Sequence, residues 1–190
     1  MPATPRLFVV SGPSGVGKGT VLARVREARP DLGLTVSATT RAARPGEVDG
    51  VAYHFLTDEE FDAELAAGNF LEWANVHGHR YGTLMREVTS RLERGQSLVL
   101  EIDVQGALNV RRAFPDAVLV FVEPPSLEAL EARLRARGTE DEESLRLRLA
   151  NAAGELELAD AYDVRIVNDD LDVAVGDFLA TLDRYETTTN

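Results

Sequence analysis

Reading the chain for runs of apolar residues picks out five strand-like segments: "RLFVVSG" (6–12), "GLTVSA" (33–38), "SLVLEID" (97–103), "AVLVFVE" (117–123) and "DVRIVND" (163–169). The third and fourth are apolar at nearly every position. Strands in the middle of a parallel sheet look like this, because both faces are covered. Helical periodicity fills the gaps between several of the runs. Alternating strands and helices predict an α/β fold with a parallel central sheet sandwiched between two helical layers.

Local stop and start signals sharpen the pattern. Thr57 followed by Glu60 makes a capping box, and Gly68 closes the helix that it opens. Ser126 is placed to cap "LEALEARLRARG", which Gly138 ends, and Thr139 with Glu142 reads as a second box. Residues 37–96 behave differently from the rest. They mix short strands ("VAYHFL", "FLEWANV") with helices and read as an α+β insertion. One domain spanning 1–190 is expected, with a core of 1–36, 97–124 and 151–186 and two excursions, 37–96 and 125–150.

Composition narrows the function. The 190 residues carry a net charge of −12, which argues against nucleic acid or an anionic membrane as partner. There is no cysteine and hence no disulfide or thiolate metal site. No run approaches a membrane span, and the N-terminus lacks a signal-peptide core, so a cytoplasmic protein is expected. The charge is uneven. Residues 1–36 sum to +3, 37–100 to −4 and 101–190 to −11. The positive segment holds Lys18, the only lysine beside 19 arginines.

Lys18 ends "GPSGVGK", which lies between an apolar strand and a helix. Glycines let the backbone curl with its amides turned inward, and the helix dipole adds positive potential for a phosphate. A lysine at the end reaches the β- and γ-phosphates of a nucleoside triphosphate. Gly12, Pro13, Ser14, Gly15, Val16, Gly17, Lys18, Gly19 and Thr20 therefore form the candidate nucleoside-triphosphate loop, for which the resemblance given below implies ATP. A hydroxyl residue for Mg²⁺ is expected directly after the lysine, but Gly19 stands there and Thr20 follows. Either Thr20 serves, or water and phosphate oxygens hold the metal.

Further along, "SATTRAARPGEVDGVAY" brings Arg41 and Arg44 to either side of a turn. A solvated loop is the ordinary setting for such arginines, yet two of them can also converge on one phosphate. Glu101 and Asp103 share a strand face, at the end of the strand where parallel sheets bind ligands; a strand simply reaching water would look the same.

Taken together, "VSGPSGVGKGT", "SATTRAARPGEVDGVAYHF", "FLEWANVHGHRYGT", "LEIDVQGA", "LEARLRARGTEDEESLRLRL" and "IVNDDLD" resemble the guanylate kinase family, in family order from about residue 6 to 172. The resemblance implies a P-loop fold in which 37–96 binds GMP and 125–150 is a lid. It implies Mg²⁺-dependent transfer of the γ-phosphoryl of ATP to GMP, in purine nucleotide metabolism. It further implies that Arg41, Arg44, Tyr53 and Tyr81 hold the GMP phosphate and that Ser37, Glu72, Thr83 and Asp103 hold the guanine. By the same resemblance Arg133, Arg137 and Arg148 clamp the transferring group, Asn168 lies by the adenine, and Glu101 holds Mg²⁺ through water. The guanine set makes chemical sense, since N1–H and the 2-amine are donors and an ionised carboxylate only accepts.

Two rivals were weighed. An interaction module on the same fold would have a degraded phosphate loop, whereas Gly12, Gly17 and Lys18 are all present. A kinase for a ribose bisphosphate would have no guanine edge for Glu72 and Asp103 to meet. Trp73 is expected in the core.

Overall fold

The computed structural model describes residues 4–76, 78–137 and 141–187, apart from the side chain of Arg137. Its main sheet takes β1 (Leu7–Ser11), β2 (Gly33–Leu34), β7 (Leu98–Glu101), β8 (Val118–Glu123) and β9 (Val164–Val167) in the order β2-β7-β1-β8-β9, every pair parallel. The second sheet is mixed. It takes β3 (Ala38–Thr39), β4 (His54–Phe55), β5 (Phe70–Val76) and β6 (His79–Leu84) in the order β4-β3-β6-β5.

Side-chain alternation along β1 explains the three layers. Phe8 and Val10 turn to one face, where they join Val21, Leu22 and Val25 of α1 (Lys18–Ala28) and Val175, Phe178 and Leu182 of α7 (Leu171–Thr187). Leu7 and Val9 turn to the other, against Val88 of α3 (Met85–Glu93) and Val104, Ala107 and Val110 of α4 (Val104–Ala113). A fully buried side chain of this kind contributes roughly 1.5–3 kcal/mol, so these two faces dominate the stability of the fold.

The remaining helices serve the excursions. α2 (Asp58–Ala66) opens with the expected box, Glu60 N–H on Thr57 Oγ1 at 3.1 Å and Thr57 N–H on the Glu60 carboxylate at 2.8 Å. α5 (Leu127–Arg137) and α6 (Glu142–Glu157) pack on each other through Leu130, Leu134, Leu145 and Ala152. Ser126 Oγ accepts from Ala129 N–H at 3.1 Å, capping α5. Thr139 and Gly138 lie outside the described residues, and the cap of α6 is Asp141, which accepts from Ser144 N–H at 2.8 Å.

Three expectations are corrected. Asp103 does not share a strand face with Glu101, because β7 ends at Glu101 and Asp103 caps α4. "GLTVSA" is not one strand: Gly33–Leu34 pairs with β7 in the main sheet, and Ala38–Thr39 crosses into the second. Trp73 is not core. It stands 40% exposed on β5, the edge strand of the second sheet, with its ring edge-on to Phe61.

Candidate active site

The turn between β1 and α1 is held from both sides. Gly12 sits at φ 145°, and a Cβ on it would stand 2.0 Å from the carbonyl oxygen of Val122 in β8. Neither the conformation nor the space admits a side chain. At Gly15 a Cβ would lie 2.5 Å from Leu134, so helix α5 rests directly on the loop. Val16 anchors the loop in the core, and its N–H returns to the carbonyl of Pro13 at 3.2 Å. Gly17 caps α1, whose first amides have no partner within the helix.

Lys18 folds back into this ring. Its ammonium donates to the carbonyls of Gly12 at 2.6 Å and Pro13 at 3.2 Å. Burial holds its pKa below the ordinary lysine value, while the charges of Glu101 and Glu155 oppose the shift. Glu101 is exposed at the end of β7. A Cβ at Gly19 would meet nothing within 4 Å. Thr20 is exposed and lines a cleft of about 390 Å³ with Gly15, Val16, Gly17, Arg133 and Asn168. The buried carboxamide of Asn168 donates to the carbonyl of Val16 at 2.7 Å, so this side chain both walls the cleft and props the loop.

The second sheet gathers a different set. Glu72 and Thr83 are cross-strand partners on β5 and β6, and the buried Thr83 hydroxyl donates to the Glu72 carboxylate at 2.7 Å. Burial pushes the Glu72 carboxyl up, Thr83 pulls it back, and the charge of nearby Asp103 adds to the rise. Asp103 has a second task, since its Oδ1 accepts from Gly106 N–H at 2.7 Å and caps α4. Ser37 borders the same sheet, and its carbonyl accepts from His54 N–H at 2.9 Å.

Beside this group stand the aromatic and cationic side chains. Tyr53 and Tyr81 meet edge to face at 5.9 Å. The Arg41 guanidinium lies 5.3 Å from the Tyr53 ring centre and 5.8 Å from that of Phe55, and it is hydrogen-bonded to Glu47 at 2.8 Å. Arg44 is exposed on the following turn. The structure thus assembles a glycine loop closed around one lysine and, at the second sheet, carboxylates next to a shelf of rings and arginines.

The sequence model of guanylate kinase matches residues 4–185. The guanylate kinase of Gloeobacter violaceus is 56% identical over 170 residues, 90% of this chain and 83% of that protein. The chain belongs to the guanylate kinase family. The guanylate kinase of Thermosynechococcus vestitus is 51% identical, with 90% of this chain and 91% of that protein covered. Among solved structures, the guanylate kinase of Anaplasma phagocytophilum superposes with a TM-score of 0.72 at 31% identity, over 98% of this chain and 89% of that one.

In this member of the family two arginines of α5 and α6 reach the loop. Arg148 on α6 donates to Ser14 Oγ at 2.8 Å, and Arg133 on α5 lies 3.5 Å from the Val16 carbonyl and 3.4 Å from that of Asp169. Arg135, which the sequence did not single out, pairs with Glu131 within α5 and with Glu142 of α6. The side chain of Arg137 lies outside the described residues.

Three further residues escaped the sequence reading. Glu47 and Phe55 fix Arg41; both sit in the quoted arginine segment, but nothing in their spacing marked them. Glu155 of α6 is half-buried with its carboxyl raised by that burial, and Lys18 counters the rise. An acid on the inner face of a helix was its only signal.

Proposed function

We propose that this chain transfers the γ-phosphoryl group of ATP to GMP, giving ADP and GDP and serving purine nucleotide metabolism. The observation that carries the reading is the Glu72–Thr83–Asp103 group beside the Arg41–Tyr53–Tyr81 shelf, in a chain that also has the Gly12–Lys18 loop. Ionised carboxylates accept from the N1–H and 2-amine of guanine. Adenine, with an unprotonated N1, would leave those acceptors unpaired. The Ser37 hydroxyl is available to O6, and the Thr83 hydroxyl becomes so only by leaving the Glu72 carboxylate.

Phosphoryl transfer asks for alignment and for neutralised charge. The loop amides and Lys18 bind the β- and γ-phosphates, for which Lys18 must release the carbonyls of Gly12 and Pro13. Arg41, Arg44, Tyr53 and Tyr81 hold the acceptor phosphate in line. Arg133, Arg137 and Arg148 close over the transferring group and exclude water. Asn168 lines the cleft for the nucleotide base.

The residues fit a Mg²⁺ ion bound mainly through water and phosphate. Space is open at Gly19, Glu101 is exposed beside Lys18, and no group of three or more acids or histidines among the described residues could cage a metal. Glu101 through water and Thr20 are the protein oxygens that would hold it, and the ion would neutralise charge on the β- and γ-phosphates. No helix among the described residues is long and apolar enough to cross a membrane.

The test is formation of ADP and nucleoside diphosphate with ATP as donor and GMP, dGMP, AMP or UMP as acceptor. GMP is expected first and dGMP second. Comparable turnover with AMP would overturn the guanine assignment.

A further inference from the structure

Glu47 has no part in the roles given above, yet its carboxylate is fully engaged. One oxygen accepts from the Arg41 guanidinium at 2.8 Å, and the other accepts from the backbone N–H of Arg44 at 2.7 Å. Its own N–H returns to the Arg44 carbonyl at 3.0 Å, closing the turn from 44 to 47. Both side chains of the pair are shielded, Arg41 to 12% exposure and Glu47 to 23%. On its other edge Arg41 donates to the carbonyl of Ala42 at 2.8 Å, and its flat face lies on Tyr53 and Phe55. The guanidinium is therefore fixed from three sides.

We infer that Glu47 is a positioning residue for the acceptor phosphate: it aims the Arg41 guanidinium at the phosphate and sets the turn that carries Arg44. This rests on the reading of the shelf as the phosphate end of the GMP site. A guanidinium has five donors in a fixed fork, so with one on the Glu47 carboxylate and one on the Ala42 carbonyl the remaining donors can meet a phosphate. Holding that fork beforehand removes the entropy cost of ordering a long side chain when the substrate arrives. The same contact could in principle compete with phosphate for Arg41. The grip on the Arg44 amide argues for positioning, because a mere stand-in anion would have no reason to shape the backbone as well. The two ideas predict opposite signs.

The experiment is steady-state kinetics of the full chain with GMP varied at saturating ATP, for wild type, Glu47→Gln, Arg41→Ala and the double variant. Glu47→Gln keeps the shape of the side chain and removes its charge. It is expected to raise KM for GMP about tenfold, the scale of a lost charge-assisted hydrogen bond. KM for ATP, and inhibition by guanosine, which lacks the phosphate, should stay within about twofold. In the Arg41→Ala background the added Glu47→Gln should change KM for GMP less than about twofold, because the two residues act as one unit. An unchanged or lower KM for GMP in Glu47→Gln overturns the proposal, as does an equal loss of guanosine inhibition. A wild-type chain that makes no GDP from GMP would overturn the acceptor reading itself.

Discussion

The Gly12–Lys18 loop and the second sheet carry the two halves of the proposed site, and they are built from opposite materials. The loop is made of backbone. Its shape depends on Gly12 lying against the Val122 carbonyl and on Asn168 propping Val16, and one ammonium serves the whole ring. The second sheet is equipped with side chains. Arg41 is steered by Glu47 and by aromatic rings, and Glu72 by Thr83. A backbone-built site is tied to the core and cannot be altered without disturbing the fold. A side-chain site can lose a member and keep its frame.

That contrast can be broken first at Gly12. Gly12→Ala places a methyl group into a backbone carbonyl at a φ that L residues rarely adopt, and it should cost about 3 kcal/mol or more of stability and abolish activity. Thermal unfolding together with the phosphoryl-transfer assay checks both. An active variant with an unchanged melting temperature would mean that the loop is not braced by β8 as described.

Lys18→Arg separates charge from shape. The narrow ring admits an ammonium on a slim stem, and a planar guanidinium should push the phosphate out of line. The fold and melting temperature should hold, while kcat falls by about 10²-fold or more, the scale of a lost electrostatic donor. Near-wild-type kcat would show that the lone lysine is an accident of composition.

A smaller effect is expected from pH on the side-chain site. Glu72 titrates above the ordinary carboxylate range because it is buried, and guanine needs it ionised. Bound guanine donors favour the charged form, so GMP affinity should weaken as pH falls through the Glu72 pKa. KM for GMP measured against pH should show this acid limb in the wild type and lose it in Glu72→Gln. An identical limb in the variant would assign the titration elsewhere.

The same contrast explains what the sequence disclosed. The loop, β1, β7 and β8 could be read from adjacent residues, because glycine spacing and continuous apolar runs are local facts. The capping box at Thr57 was legible for the same reason. "GLTVSA" misled because alternation says that residues extend but not which sheet they join. Ala38–Thr39 answers to partners at 54–55 and 81–82. Trp73 misled because an aromatic residue in an apolar run looks buried until the strand proves to be an edge. The proposed guanine group draws on residues from 37 to 103, just before β3, on β5 and β6 and at the cap of α4, and no spacing rule joins them. They entered only through family resemblance. Glu47 and Glu155 act through a neighbour's charge, which a sequence pattern does not carry.

The most direct test of the guanine group is the ratio of kcat/KM for GMP to that for AMP, in wild type and in Glu72→Gln. In the wild type, GMP should lead by about 10⁴-fold, as expected where buried acceptors would go unpaired with the wrong base. In Glu72→Gln the ratio should fall by about 10²-fold, mainly through weaker use of GMP, with the melting temperature held or raised because a buried charge has been removed. A ratio unchanged by the substitution would contradict the account, since base choice would then not pass through Glu72.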